Sequence, residues 1–414
     1  LRIILNNIAR FFAERNVMPL QPQMAYHAAM ALSTSATPSP SLRRDFRLDF
    51  FRGIALVFIF MDHIPDNALS YVTLRSFAFS DAADVFIFIS GYTAALVYGR
   101  FMLREGLVMA AARVWRRVWQ LYVAHLCLFM MYNAEVSYTL LHFDNPLFTD
   151  ELGFGTFLDD PAQTFIRVLL LQFQPSLLNI LPLYISLLLI FPLVLLAIRR
   201  NVWVALIPSA LLYLAVQVWG INMPGYPTGT QWFFDPFAWQ FLFVIAACLG
   251  FLSSTTSTPL PRWRGLLPAA IVIVVIGAVV QFSWTLHELF GRIPLLIGVP
   301  PWADDKTHLP PLRIVNMLAL AYVVARTVPA NAVFLTSPAG WLLVLCGQKS
   351  LYVFCLTILL SVIGGLSLSL VGNALIIQVA INMAGILIMI LLALLLTWFD
   401  AGGRLPPRPG TVTA

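Results

Sequence analysis

Charge is scarce in this sequence. Asp, Glu, Lys and Arg make up only 11% of its 414 residues, hydrophobic residues make up 60%, and the mean hydropathy is +0.84. That balance excludes a soluble globule and points to an all-α polytopic membrane protein. Cysteine is scarce too. Cys127, Cys248, Cys346 and Cys355 lie scattered through apolar stretches without CxxC spacing, which excludes a zinc ribbon or a disulfide framework and leaves them as small core residues. The net charge of +6 comes from arginines set between apolar segments, not from a basic face. Membrane lipid is therefore an expected partner and nucleic acid is not.

Apolar stretches long enough to cross the hydrocarbon core run over 46–65, 82–100, 113–133, 177–198, 202–219, 237–252, 265–284, 312–328, 347–365 and 373–398. These predict about ten transmembrane helices in one bundle. Arginines gather at every second boundary: Arg43, Arg44 and Arg47, then Arg100, Arg104, Arg113, Arg116 and Arg117, then Arg199 and Arg200. Arg262, Arg264, Arg326, Lys349, Arg404 and Arg408 continue the series. The other boundaries are basic-poor and hold most of the acids, among them Asp66, Asp144, Asp150, Asp235 and Asp304. The positive-inside rule then places both termini in the cytoplasm.

Residues 1–40 fall outside this pattern. "RIILNNIARFFAERNVM" followed by "LSTSATPSPS" reads either as an amphipathic surface helix with a flexible linker or as untranslated upstream sequence, with the start at Met18, Met24 or Met30. It does not resemble a signal peptide, because Asn6 and Asn7 break a short apolar core. Residues 403–414 are expected to form a short cytoplasmic tail. No soluble catalytic domain is expected at either end, so any chemistry belongs to residues 41–402.

The first apolar run, "FFRGIALVFIFMDHIP", carries Arg52, Asp62 and His63. Arg52 and His63 are eleven residues apart, which on a helix puts them within roughly 20° of one face and about 16 Å apart along the axis. Asp49 joins that stripe. Ionisable groups inside a membrane segment usually face a bundle interior or a water cavity and mark a working site. The plainer account is a snorkelling Arg52 and two interfacial residues before Pro65. The second run opens on Asp81 and Asp84, one turn apart, where carboxylates also suit a helix N-terminus. Its Ser90 and Gly91 suit close helix approach as well as chemistry. The arginines from Arg100 to Arg117 would receive a phosphorylated ligand, or anchor lipid headgroups.

"RLDFFRGIALVFIFMDH" resembles the first-helix signature of the acyltransferase-3 superfamily of membrane O-acyltransferases, whose Arg and His pair corresponds to Arg52 and His63. "DVFIFISGY" and "RRVWQLY" resemble its second- and third-helix motifs. "RDFRLDFFRG", "NILPLYISLLLIFP", "DPFAWQFLF" and "GQKSLYVFC" are similar to the OpgC-type branch, associated with succinylation of osmoregulated periplasmic glucans. Where many superfamily members carry Trp and Glu, this chain has Leu183 and Tyr184. The resemblance implies a single transmembrane acyltransferase domain in the bacterial inner membrane. It would move an acyl group, succinyl on this branch, from acyl-CoA to a periplasmic glucan, with no permanently bound cofactor.

In that scheme His63 is the base or an acyl-carrying nucleophile, Asp81 or Asp84 orients it, Asp62 is poorly aimed to do so, and Arg52 holds the donor or its free carboxyl. Arg113, Arg116 and Arg117, with Ser90 and Tyr122, bind the acyl-CoA donor. Trp232, Asp235, Trp239 and Gln240, near Phe233, Phe234, Trp302, Asp304 and Asp305, form a glucan-binding lip, unless they are only an interfacial aromatic belt. His287, Glu288 and His308 match no recurrent metal-ligand spacing, so no metal is expected. An acetyltransferase of another cell-surface polysaccharide, a transporter, and a sensor that has lost activity remain the competing classes.

Overall fold

The hydrophobic runs become helices, and their polar ends set where each one starts. A computed structural model describes residues 44–143, 155–255, 263–291, 298 and 305–404. Ten helices of 17 residues or more occur among them: α1 (Phe46–Asp62), α2 (Ala82–Glu105), α3 (Leu107–His142), α4 (Ile180–Arg200), α5 (Val202–Trp219), α6 (Pro236–Thr255), α7 (Leu266–Phe290), α8 (Pro311–Thr327), α9 (Ser350–Val371) and α10 (Leu375–Asp400). Seven of these, α2, α4, α5, α6, α7, α9 and α10, are long and apolar enough to cross a membrane. The rest of the described chain is helical turn and loop, with no strand among the described residues beyond one isolated bridge, Pro224 to Gln231. The described residues from Asp45 onward form one unit; the expected N-terminal segment 1–40 and the tail beyond Arg404 lie outside the described residues.

Two boundaries differ from the hydropathy reading. The third helix, expected over 113–133, covers the 36 residues Leu107–His142, starting before the arginines and continuing well past the expected end. The stretch expected over 347–365 starts instead at Ser350 and runs to Val371, and a separate Pro338–Gln348 helix precedes it with a break at Lys349. Of the cysteines, Cys248 and Cys346 are buried, Cys355 is half-buried and Cys127 is exposed.

Small residues set the closest contacts. A Cβ on Gly91 of α2 would collide with the Phe243 carbonyl of α6, and one on Gly250 of α6 with the Tyr92 carbonyl of α2. Gly53 of α1 and Gly347 of the Pro338–Gln348 helix interlock in the same way, against the carbonyls of Leu343 and Asp49. This is how helices associate where lipid removes the hydrophobic drive. α1 and α2 are thereby clamped from opposite sides. α9 runs alongside α1 in the same direction: Ser361 Oγ donates to the Phe60 carbonyl at 3.3 Å, and Gly365 lies against Pro65.

Between α1 and α2 the chain forms two 3-10 turns, Ala68–Val72 and Leu74–Ser76. Asn67 and Asn382 of α10 exchange side-chain hydrogen bonds at 3.0 and 3.1 Å, and Gln378 Oε1 accepts the Ala68 N–H at 2.7 Å. These amides moor the loop over one end of the bundle. The backbone contact at Gly250 leaves no room for relaxation, so Gly250→Leu is expected to destabilise the protein by about 3 kcal/mol or more, the upper range for overpacking. Thermal unfolding in detergent should show a lower midpoint than wild type, while Gly265→Ala, in open space and at negative φ, changes it less.

Candidate active site

α1 ends at His63, which caps the helix with its own backbone N–H on the Ile59 carbonyl at 3.1 Å. Its ring returns to the same carbonyl, with Nδ1 2.5 Å from Ile59 O. A carbonyl only accepts, so Nδ1 carries the proton and Nε2 keeps the lone pair. Nε2 has no hydrogen-bond partner among the described residues. The ring lines a cavity of about 310 Å³ at the end of the bundle where α1 finishes and α2, α4, α6 and α8 begin. Asp62, Arg75, Asp81, Lys306 and Phe233 share that lining, and Phe354 of α9 lies at its edge.

Asp81 is the N-cap of α2 and forms a reciprocal capping box with Asp84: Asp81 Oδ1 accepts the Ala83 N–H at 2.9 Å, and Asp84 Oδ2 accepts the Asp81 N–H at 2.8 Å. Both carboxylates meet Arg313 at the head of α8. Arg313 Nη2 is 3.1 Å from Asp81 Oδ2 and also pairs with Asp84, and Lys306 Nζ is 2.8 Å from Asp81 Oδ2. Burial alone would raise the Asp81 carboxyl, but Lys306 and Arg313 hold it well below the ordinary carboxylate range. Thr73 Oγ1 lies 2.6 Å from Asp62 Oδ1 and fixes that carboxylate beside His63.

The sequence-derived roles redistribute on these elements. His63, Asp62 and Asp81 meet at the cavity. Asp84 lies beneath it, fully buried. The orienting partner of His63 is the Ile59 carbonyl, not Asp81 or Asp84, because both carboxylates are already engaged by cations. Arg52 does not line the cavity. Its Nη2 donates to Thr93 Oγ1 at 2.9 Å, with Asp49 Oδ1 at 3.9 Å from Nη1, deeper among α1 and α2. Ser90 is buried in α2 beside the Gly91 contact.

At the other end of α2 lie the arginines. Arg113 pairs with Glu105 at 2.7 Å and stacks over the Phe101 ring, Arg117 Nη1 reaches Gln120 at 3.3 Å, and Arg116 is exposed. Tyr122 is turned to the Leu169 carbonyl at 2.9 Å. From Asp81 to Arg104 is 23 residues of helix, about 34 Å, slightly more than a hydrocarbon core.

The expected glucan lip is mostly interior. Trp232 and Trp239 are 3% and 0% exposed, and Gln240 is bound to Ser209, with Nε2 on the carbonyl at 2.9 Å. Asp235 is the buried start of α6, where burial pushes its carboxyl up to about 6. Phe233 is the exposed aromatic that reaches the cavity. Trp302 and Asp304 lie outside the described residues. The buried members serve a different purpose. Trp239 Nε1 donates to the Lys306 carbonyl at 3.0 Å, Asp235 N–H to that of Thr307 at 3.2 Å, Gln217 to that of His308 at 2.7 Å and Tyr213 to that of Leu309 at 2.7 Å. Four successive carbonyls are thus pinned.

Arg75, Lys306 and Arg313 were missed from the sequence, although a signal existed. They are basic residues on the side otherwise rich in acids, where the positive-inside rule gives them no topological purpose.

A protein-family model described as OpgC protein matches residues 44–401. The chain belongs to the OpgC family. The match spans α1 through α10 and so includes the cavity and the arginine cluster. No curated protein and no solved structure matches the chain. OpgC membership makes an acyltransferase of periplasmic glucan modification the frame for this site, and the ion cluster is its most demanding part. Arg313→Met leaves Asp84 buried without its cation, which is expected to lower stability by about 3–5 kcal/mol. Adding Asp84→Asn to that variant should recover part of the loss in thermal unfolding; no recovery would mean the pair does not carry it.

Proposed function

We propose that this chain is an inner-membrane O-acyltransferase that moves a succinyl group from cytoplasmic acyl-CoA to hydroxyls of a periplasmic glucan. The observation that carries the reading is His63: its ring is held by one nitrogen to Ile59, with the basic nitrogen left at a cavity. Acyl transfer to an alcohol needs a base at the hydroxyl and stabilisation of the developing oxyanion. Nε2 takes the hydroxyl proton as the oxygen attacks the thioester carbonyl. The carbon–sulfur bond breaks, and the proton passes from the imidazolium to the departing thiolate. Products are the ester and the free thiol. Arg75 and Lys306 supply positive charge on the cavity wall.

The same reading assigns ten crossings with both termini cytoplasmic. Its support is that the end of α1 and the beginnings of α2, α4, α6 and α8 share one end of the bundle, as alternating crossings through α3, α5 and α7 require. The cavity is then periplasmic and Arg113, Arg116 and Arg117 are cytoplasmic, where they hold the phosphates of the donor. The likeness of the first two helices to the acyltransferase-3 superfamily supports the pairing of Arg52 and His63 on one face.

Mass spectrometry of periplasmic glucans tests the chemistry. Cells carrying His63→Ala are expected to lose succinyl half-esters while the protein still inserts; glucans modified as in wild type would remove His63 from the mechanism. In the purified wild-type protein kcat/KM should fall on the acid side, since a protonated imidazole has no lone pair to accept the hydroxyl proton. Arg116→Ala with Arg117→Ala should raise the KM for the acyl-CoA donor by about tenfold or more, through loss of charge-assisted phosphate contacts. An unchanged KM would leave the cluster as a lipid anchor.

A further inference from the structure

We propose that Arg75 and Lys306 form an anion seat in the His63 cavity that receives the free carboxylate of a dicarboxylic acyl chain, so that these two cations choose the acyl group. The inference rests on the acyl-transfer reading and gives that site its specificity. Lys306 is one of only two lysines in the sequence, and it lines the same cavity as His63. Its backbone is unusually fixed, because donors from α5 and α6 hold the carbonyls from Lys306 to Leu309. Asp81 is its ion-pair partner and is shared with Arg313, so the ammonium keeps donors in reserve. Arg75 stands on the 3-10 turn Leu74–Ser76, between the buried Thr73 and Ser76. It makes no ion pair or hydrogen bond with a described residue, which leaves a planar fork suited to a carboxylate. Asp62, the other acid in the lining, accepts from Thr73 and also lies within electrostatic reach of Arg75 and Lys306, so an entering carboxylate shares the two cations with it.

Distance decides between this pair and Arg52. In a succinyl group the free carboxylate lies about 5 Å from the reacting carbonyl, three carbon–carbon bonds away. The guanidinium of Arg52 is seated on Thr93, twelve residues into α2 from Asp81 and hence about 18 Å from the level of the cavity. A thioester poised at His63 cannot place its carboxylate there. It can place it on the cavity wall.

The test uses the full chain in proteoliposomes with succinyl-CoA and acetyl-CoA as donors and a neutral, unsubstituted glucan as acceptor. Arg75→Gln and Lys306→Gln should each lower the ratio of kcat/KM for succinyl over acetyl by about thirty-fold, within the range for losing a hydrogen bond to a charged group. Arg75→Lys should keep most of the preference. Equal losses for both donors would overturn the proposal, and so would a loss that depends on negative charge carried by the glucan and not on the donor. A second measurement does not require turnover: saturation-transfer NMR of His63→Ala protein with monomethyl succinate and its uncharged dimethyl ester. Preferential binding of the anion, lost in His63→Ala with Arg75→Gln, supports the seat even if wild-type protein transfers no acyl group, which would sink the transferase reading alone. Equal binding of the two esters would overturn the seat.

Discussion

A carboxylate pair in a bundle this apolar requires cations, and that requirement organises the cavity end of the protein. Asp81 and Asp84 stand together as the two acceptors of the capping box that opens α2. Arg313 answers both of them from the head of α8, and Lys306 answers Asp81 from the loop before it. An ion pair out of water is retained only when its geometry is good and its remaining groups are bonded. The cluster therefore fixes the register of α8 against α2. It also draws the 305–309 segment over the cavity, where side chains of α5 and α6 complete the attachment.

The glycine contacts do for the helix axes what the ions do for their ends. Gly91 and Gly250 lock α2 to α6, and Gly53 and Gly347 lock α1 to the Pro338–Gln348 helix, so neither helix can slide along its partner without losing backbone-level contact. His63 sits at the last turn of one of these clamped helices and takes its tautomer from the carbonyl one turn below. Its orientation is consequently a property of α1 itself. No separate carboxylate is needed to aim it, and this leaves Asp81 free to bind cations.

The sequence revealed the helices well because length and hydropathy are local properties, and ten apolar stretches reappear as ten long helices. It also singled out His63 and Asp62, which line the cavity, since charge at the end of an apolar run is rare enough to carry information. It misjudged the glucan lip, because Trp and Gln near a helix start read alike whether they face outward or inward. In the fold, Trp239 and Gln240 turn inward, and their polar atoms are spent on the Lys306 carbonyl and on Ser209. Arg75 and Lys306 escaped notice for the opposite reason. Their place on the acid-rich side was the one signal, and only the return of the chain after α1 and before α8 brings them beside His63.

Arg52 needs a different account once the cavity is placed. An arginine half-buried among helices would be destabilising unless its donors were met, and Thr93, with Asp49 one turn away, meets part of that need. Its position lies on α1 between the cavity and the arginine-rich end, on the same face as His63. A donor held by its phosphates at one end and reacting at the other must pass that level. On the proposed reading Arg52 therefore faces the middle of the donor, where amide carbonyls are available to a guanidinium, and not the reacting acyl group. On that reading Arg113, Arg116 and Arg117 serve the donor's phosphates, Arg52 its arm, and Arg75 with Lys306 its acyl terminus.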